Sequence, residues 1–430
     1  MKVAIYTLGC KVNQYETQAM EQELTERGHT LVDFEDTADA YIINTCSVTA
    51  ISDKKSRQMI RRAKKRNPQA VVAACGCYVQ THTAEAESLG IDLVGGTGQR
   101  MEFLKQLELT LAQRQAATAV VDDALRRREF EVLPAGGQQG RTRAMLKVED
   151  GCQNFCTYCI IPFARGPVRS LPLAVAREQT EALRWEGYRE VVLTGIEISS
   201  WGRDLPGGQT LIDLVEAVSA AAGDMRLRLG SLEPRTVTEE FCRRAAVLPN
   251  LCPQFHLSMQ SGCDGTLRRM NRRYDTARFY ESVERLHRYF PGVAVTTDLI
   301  VGFPGETEEE FDQTLAFVRK CAFAKMHVFP YSVRPGTKAA EMEQVPGPVK
   351  EDRAARAGQV AEQLHRAYLE ECVGKTMPVL FEQKGKNGLY TGHAPNYMEV
   401  AAAGENLHNC LLPVKITGIS GELLLGEVEK

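Results

Sequence analysis

The segment Gly151-Cys152-Gln153-Asn154-Phe155-Cys156-Thr157-Tyr158-Cys159 constrains this chain more than any other. It spaces three thiols as C-x₃-C-x₂-C directly after Ala144–Glu149, an apolar run that reads as a strand. The same spacing describes one face of a buried helix. Here, however, a glycine stands before the thiols and Pro162, Gly166 and Pro167 follow, and nothing else in the segment is helically patterned. Three close thiolates suit an iron–sulfur cluster, whereas a closed zinc site needs a fourth nitrogen or sulfur ligand nearby. The next residues, Ile160-Ile161-Pro162-Phe163, supply none. A 4Fe–4S cluster held by three cysteines leaves one iron open to a cofactor or substrate.

With 430 residues the chain is long enough for about three domains. Residues 1–112 alternate short apolar runs (Val3 to Leu8, Leu31 to Phe34, Tyr41 to Asn44, Val71 to Ala74, Ile91 to Val94) with helical patterns, which implies a parallel sheet covered on both faces. Residues 113–143 are rich in Ala, Gln, Arg and Gly and read as a connector. Within 144–372 the strand candidates are Ala144–Glu149, Val191–Gly195, Arg226–Leu232, Gln254–Met259, Val293–Gly302 and Lys325–Ser332. Helices between them start near Pro172, Thr210, Thr236, Thr276 and Thr307. Six such units suggest a partial (β/α)₆ barrel. Residues 373–430 hold short β-rich runs broken by Gly and Pro, the pattern of a small antiparallel barrel. The fold class expected is α/β.

No window has the apolar length of a membrane span, and Met1-Lys2-Val3-Ala4-Ile5-Tyr6 reads straight into a strand without a leader pattern, so the protein is expected in the cytoplasm. In that compartment thirteen cysteines point to metal or redox chemistry rather than disulfides. Cys10, Cys46 and the pair Cys75/Cys77 each follow a predicted strand of the first domain. Strand-end loops of a parallel sheet converge, which favours ligation over simple burial for three of them.

C-x₃-C-x-aromatic-C resembles the signature of radical S-adenosylmethionine (SAM) enzymes, whose open iron chelates the methionine end of SAM and whose reduction yields a 5′-deoxyadenosyl radical. The resemblance implies SAM contacts at Tyr158 and at Thr194, Gly195 and Glu197 in Leu-Thr-Gly-Ile-Glu. It extends them to Ser231 and Glu233 in Gly-Ser-Leu-Glu-Pro, and to Asp298 and Gly302 in Asp-Leu-Ile-Val-Gly-Phe-Pro-Gly-Glu. Along its full length the chain resembles the methylthiotransferase family. That likeness implies a second 4Fe–4S cluster on Cys10, Cys46 and Cys77, and leaves Cys75 as a core thiol. It further implies a C-terminal TRAM domain, two SAM molecules per turnover, and an electron donor such as flavodoxin or ferredoxin. One SAM methylates a sulfur on the auxiliary cluster and the other activates an unreactive C–H bond that no side-chain base could deprotonate.

Three branches of that family act on isopentenyl-adenosine in tRNA, on threonylcarbamoyl-adenosine in tRNA, and on an aspartate of a ribosomal protein. Thr-Leu-Gly-Cys-Lys-Val-Asn-Gln-Tyr-Glu-Thr at Thr7–Thr17 most resembles the threonylcarbamoyl branch. Net charge is only −3, so contact with RNA must come from local basic patches. Lys54, Lys55, Arg57, Arg61, Arg62, Lys64, Lys65 and Arg66 crowd one predicted helix, Arg165 and Arg169 follow the catalytic cysteines, and Arg268, Arg269, Arg272 and Arg273 form a further cluster. Lys375, Lys384, Lys386 and Lys415 add single cations in the tail. These are the expected phosphate contacts to the tRNA anticodon stem-loop, on a protein expected to act as a monomer. The competing readings are modification of a protein side chain, and a non-catalytic RNA-binding protein with structural metal.

Overall fold

The computed structural model describes residues 1–113, 119–136, 140–385 and 388–429. Lys386 and part of the connector lie outside them.

The first unit is a five-stranded parallel sheet in the order Thr30–Val32, Lys2–Thr7, Ala40–Thr45, Val71–Gly76, Leu93–Val94. Every residue of Ala40–Thr45 and Val71–Gly76 is buried, as central strands covered on both faces must be. Helices Lys11–Glu26 and Arg100–Gln113 lie against one face and Ala50–Arg66 against the other.

The second unit is an open barrel of parallel strands in two arcs. Arg226–Leu229, Glu190–Thr194 and Arg143–Lys147 make one, and Ser231–Leu232, Gln254–Gln260, Ala294–Val301 and Lys325–Pro330 the other. The run expected as one strand, Arg226–Leu232, is split at Gly230, whose amide bonds Leu193 while Ser231 turns to pair with His256. Thr210 and Thr307 start their helices with reciprocal capping boxes, closed by Asp213 and Glu310. The long helix Gly347–Cys372 closes the outer layer.

The tail is a closed barrel of five strands, among them Thr376–Lys384, Tyr390–His393 and Glu399–Ala402. It departs from a purely antiparallel barrel in one pair, Glu399–Ala402 with Leu423–Val428, which runs parallel. Its core is continuous with Ala294, Ala324 and Leu369 of the barrel layer. Arg226 donates to the Pro378 and His393 carbonyls at 3.2 and 3.0 Å, and Arg228 to the Pro395 carbonyl at 2.9 Å. Both guanidinium groups also pair with the fully buried Glu190, at 2.7 and 2.9 Å. Burial alone would raise the Glu190 carboxyl, but Arg228 and Arg226 overrule it and hold it down to about 2.

The connector is tied to the first unit. Tyr15 donates to the Leu133 carbonyl at 2.7 Å, and Ala124 and Leu133 are buried.

Candidate active site

The cysteine loop 152–159 is held by its neighbours rather than by helical bonding. Cys152 N–H donates to Gly166 O at 3.0 Å, Thr157 N–H to Met270 O at 3.1 Å, and Ala339 N–H to Thr157 O at 2.9 Å. Asn271 Nδ2 holds the Phe155 carbonyl at 3.0 Å, with Phe155 at φ +48°. Arg272 donates from Nη1 to Cys156 Sγ at 3.3 Å and from Nη2 to Ser258 O at 3.0 Å. A fixed guanidinium on one thiol suits an anionic cluster better than a bare core thiol. Burial pushes Cys152 up and Cys159 up to about 12, so iron loading must displace their protons.

On the same rim, Glu197 N–H donates to Glu149 Oε2 at 2.6 Å, and Glu233 N–H to Ser199 Oγ at 2.8 Å. Burial raises both Glu149, well above the usual carboxylate range, and Glu197. Each keeps one buried oxygen without a partner, Oε1, and Glu197 lies close enough to Cys152 to influence its charge. Unpartnered buried oxygens beside an open-iron trio fit a ligand that brings its own donors, as the ammonium of SAM does. Glu149 was not singled out in the sequence; its signal is its place at the end of the strand leading into Cys152. Tyr158 faces inward, edge-on to Phe303 at 6.3 Å. Gly302 N–H donates to Glu306 Oε2 at 2.6 Å at the end of Ala294–Val301. Ser231 and Asp298 line an interior cavity, where His256 Nε2 approaches Asp298 at 3.4 Å.

The second set of cysteines sits at the carboxyl edge of the first sheet. Gly9 and Gly76, at φ +107° and +99°, immediately precede Cys10 and Cys77. A methyl group on Gly9 would stand 2.9 Å from Cys46 Sγ, and one on Gly76 2.5 Å from the Thr45 carbonyl. Only glycine permits both the left-handed turn and this close approach. Burial pushes Cys77 up to about 12 and raises Cys46, and Cys10 lies near enough to both to add to the rise. Cys75 points away into the core formed with Phe103 and Leu104. Among the described residues no three His, Cys, Asp or Glu side chains are gathered around a single ion. A 4Fe–4S cluster poses a different requirement, because each thiolate binds its own iron.

Two buried arginines join the two neighbourhoods. Arg165, expected to meet RNA, is fully buried; it pairs with Glu16, donates to Asn13 Oδ1 at 2.8 Å and approaches Asp150 at 3.4 Å. Arg169 is likewise buried against Asp150 at 3.4 Å. Neither can reach a phosphate, a correction with a plain cause: both neutralise carboxylates at the joint between sheet and barrel. Glu16 takes further bonds from Arg100 at 2.7 Å and Lys147 at 3.3 Å. Although burial would raise it, the surrounding cations hold it well below the usual range. On the other side Arg334 pairs with Asp53 at 2.7 Å, donates to Ser47 Oγ at 2.6 Å beside Cys46, and lies near enough to Cys159 to ease its ionisation. The pairings of Arg334 and Glu16 could not be read from the sequence, since Asp53, Arg165 and Lys147 lie in other domains from the residues they meet.

The basic helix Ala50–Arg66 divides. Arg62 pairs with Glu35 at 2.6 Å, Arg66 pairs with the same carboxylate, and Arg57 approaches Glu85 at 3.3 Å. Lys54, Lys55, Arg61 and Lys65 are exposed, with no carboxylate partner among the described residues, and Lys64 is half-buried. In the arginine cluster Arg272 is spent on Cys156 and Arg269 on Glu310, leaving Arg268 and Arg273 exposed. Val48, Ile51, Phe155 and Phe163 are exposed apolar side chains beside the cysteine loops.

Residues 2–96 match the uncharacterized protein family UPF0004, and residues 146–318 the radical SAM superfamily. The chain is 40% identical over 96% of its length to the threonylcarbamoyladenosine tRNA methylthiotransferase MtaB of Bacillus subtilis, covering 93% of that protein. It is 36% identical over 94% of its length to the protein of the same name from Thermotoga maritima, covering 92% of it. A tRNA-2-methylthio-N(6)-dimethylallyladenosine synthase from Caldicellulosiruptor saccharolyticus is 33% identical, over 99% of this chain and 92% of that one. Among solved structures, the radical SAM methyltransferase TsrM from Kitasatospora setae superposes with a TM-score of 0.57 at 17% identity, over 79% of this chain and 75% of that one, a likeness of fold. No described helix is long and apolar enough to cross a membrane. With its sheet, its open barrel and its cysteine loops in this order, the chain belongs to the MtaB-type radical SAM methylthiotransferases.

Proposed function

We propose that this enzyme adds a methylthio group to C2 of N6-threonylcarbamoyladenosine, 3′ to the anticodon of tRNA, using two 4Fe–4S clusters and two SAM molecules. The observation that carries the reading is the joining of two cysteine sets across one interface, by Arg165 beside Cys77 and by Arg334 between Ser47 and Cys159. The substrate rests on the names of the relatives, of which the threonylcarbamoyl enzymes from B. subtilis and T. maritima are nearer in sequence than the dimethylallyl one. Once bound, the clusters supply the electron that cleaves SAM and the sulfur that is transferred.

The chain's own residues do the rest. Cys152, Cys156 and Cys159 hold the radical-generating cluster while Arg272 balances its charge, and Cys10, Cys46 and Cys77 hold the auxiliary one. Glu149 and Glu197 accept from the SAM ammonium, with Tyr158, Thr194, Gly195, Glu233 and Gly302 around it and Ser231 and Asp298 at its border with the substrate space. The walls fix the reacting carbon and keep other C–H and S–H groups away from a radical. Lys54, Lys55, Arg61 and Lys65 hold RNA phosphates, and Phe155 and Phe163, edge-on at 5.9 Å, offer faces for unstacked bases. The enzyme works in the cytoplasm as a monomer, with a TRAM-type tail and an electron supply such as flavodoxin or ferredoxin.

Anaerobic reconstitution tests this. About eight irons per chain are expected for two clusters. Incubation with SAM, dithionite and an anticodon stem-loop bearing threonylcarbamoyladenosine should give the methylthio product by mass spectrometry. Only about four irons would remove the auxiliary cluster from the account. Product from the isopentenyl substrate alone would move the enzyme to another branch.

A further inference from the structure

A cavity of about 420 Å³ lies inside the open barrel, walled by all three units of the molecule. Ser231, His256, Thr296 and Asp298 come from the barrel interior, Tyr397 from the tail, and Lys11 from the first domain, next to Cys10. Ser231 stands opposite His256 and His256 opposite Thr296, so these three form one ring of polar side chains. The volume falls in the range of pockets for small ligands.

The cations in and behind its walls are unequal. Arg228 and Arg143, which do not line it but pack against Tyr397, are matched by Glu190 at 2.9 Å and Glu382 at 3.0 Å. Lys325 has Glu422 at 3.3 Å. Lys11 has no carboxylate partner among the described residues; its nearest recorded neighbour is the Tyr397 ring, 5.9 Å from Nζ. The Ser231 hydroxyl likewise makes no hydrogen bond among them. Tyr397 itself is held at φ +67°, a conformation costly for a bulky residue, by Arg143 on its hydroxyl at 3.2 Å and Arg228 over its ring at 4.6 Å. The wall facing Lys11 is therefore fixed, and the lysine and serine are left for a ligand, with Glu399 the one lining carboxylate that has no ion pair among the described residues.

We infer that this cavity receives the N6 substituent of the substrate adenosine, and that Lys11 selects it by pairing with its carboxylate. The inference rests on the tRNA reading above. A threonylcarbamoyl group carries one carboxylate and one hydroxyl, matching one lysine and one serine. An isopentenyl group would supply neither partner, and the penalty falls mainly on Lys11, because Ser231 is open to solvent. Lys11 directly follows Cys10 in the chain, which ties this wall of the cavity to the loop of an auxiliary cysteine.

The test compares three anticodon stem-loops, bearing threonylcarbamoyladenosine, its neutral carboxamide, and isopentenyladenosine, with the reconstituted enzyme. Equilibrium binding and kcat/KM are both read. The parent should favour the acid over the amide, and Lys11→Met should abolish that preference by weakening the acid on the order of 30-fold or more. The loss should fall in KM and Kd with kcat largely kept, Lys11→Arg should restore most of it, and Ser231→Ala should cost less. Iron content and SAM affinity without RNA should not change in Lys11→Met; a fall in SAM affinity would assign Lys11 to the cofactor and overturn the inference. Equal use of acid and amide by the parent also overturns it, whatever the variants do, and leaves the proposed reaction standing. No product from the acid with the parent enzyme would instead remove the proposed function, and the pocket assignment with it.

Discussion

Cys152, Cys156 and Cys159 come from one short loop, whereas Cys10, Cys46 and Cys77 come from the ends of three strands that meet only because the sheet is parallel. The first trio is shaped by bonds to residues 269–271 and by Arg272 on a thiol, all from a segment far along the chain. The second depends on glycine turns that bring neighbouring strand ends within touching distance. One loop fixes the spacing of the first trio, whereas the second comes apart as soon as the sheet or its joint to the barrel shifts, which gives the buried ions at that joint their importance.

The sharpest way to break the comparison is to remove one cysteine from each set. Cys156→Ala should abolish formation of 5′-deoxyadenosine, while Cys10→Ala should leave it largely intact and abolish methylthiolation. Equal loss of SAM cleavage in both variants would mean that the two sets do not divide the work.

The joint comes next. Glu16→Gln leaves Arg100, Arg165 and Lys147 buried and short of a carboxylate, a change that costs about 3–5 kcal/mol in comparable sites. Urea unfolding should show that loss, and proteolysis should open the connector first. Wild-type stability in Glu16→Gln would show that the joint does not hold the second trio in place.

The barrel–tail joint offers a milder contrast through pH. Glu190 is held down to about 2, below its unfolded value near 4, so its pairing stabilises the fold fully above the unfolded value. That contribution drains away as pH falls from there towards about 2. Glu190→Gln should flatten this acid limb and lower stability at neutral pH, measured by thermal melts across the range; an unchanged limb would place acid sensitivity elsewhere, with Glu16 the next group to examine.

The smallest effect belongs to the surface. Lys55→Ala should reduce the salt dependence of tRNA binding by about one ion per molecule. Arg62→Ala should do less, because Glu35 already holds that guanidinium. The reverse order would mean that the Arg62–Glu35 pair opens on RNA.

Much of this was legible in the chain. The alternating strand and helix patterns, the cysteine loop between Gly151 and Pro162, and the cysteines after strands all depend on near neighbours, and near neighbours are what a sequence displays. The fate of individual charges was not legible. Arg165 and Lys55 look alike in a linear reading, yet one is buried on Glu16 and the other stands in solvent. Arg334 and Glu16 gain their roles from partners in other domains, Glu190 from arginines on a neighbouring strand, and Lys11 becomes noticeable only because no carboxylate stands within pairing distance of it among the described residues. By itself the sequence determined the elements, their order and the two sets of thiols. The tertiary structure decided which charges neutralise one another and which remain for a ligand, because pairing depends on distance through space and on exclusion of water, and neither is written along the chain.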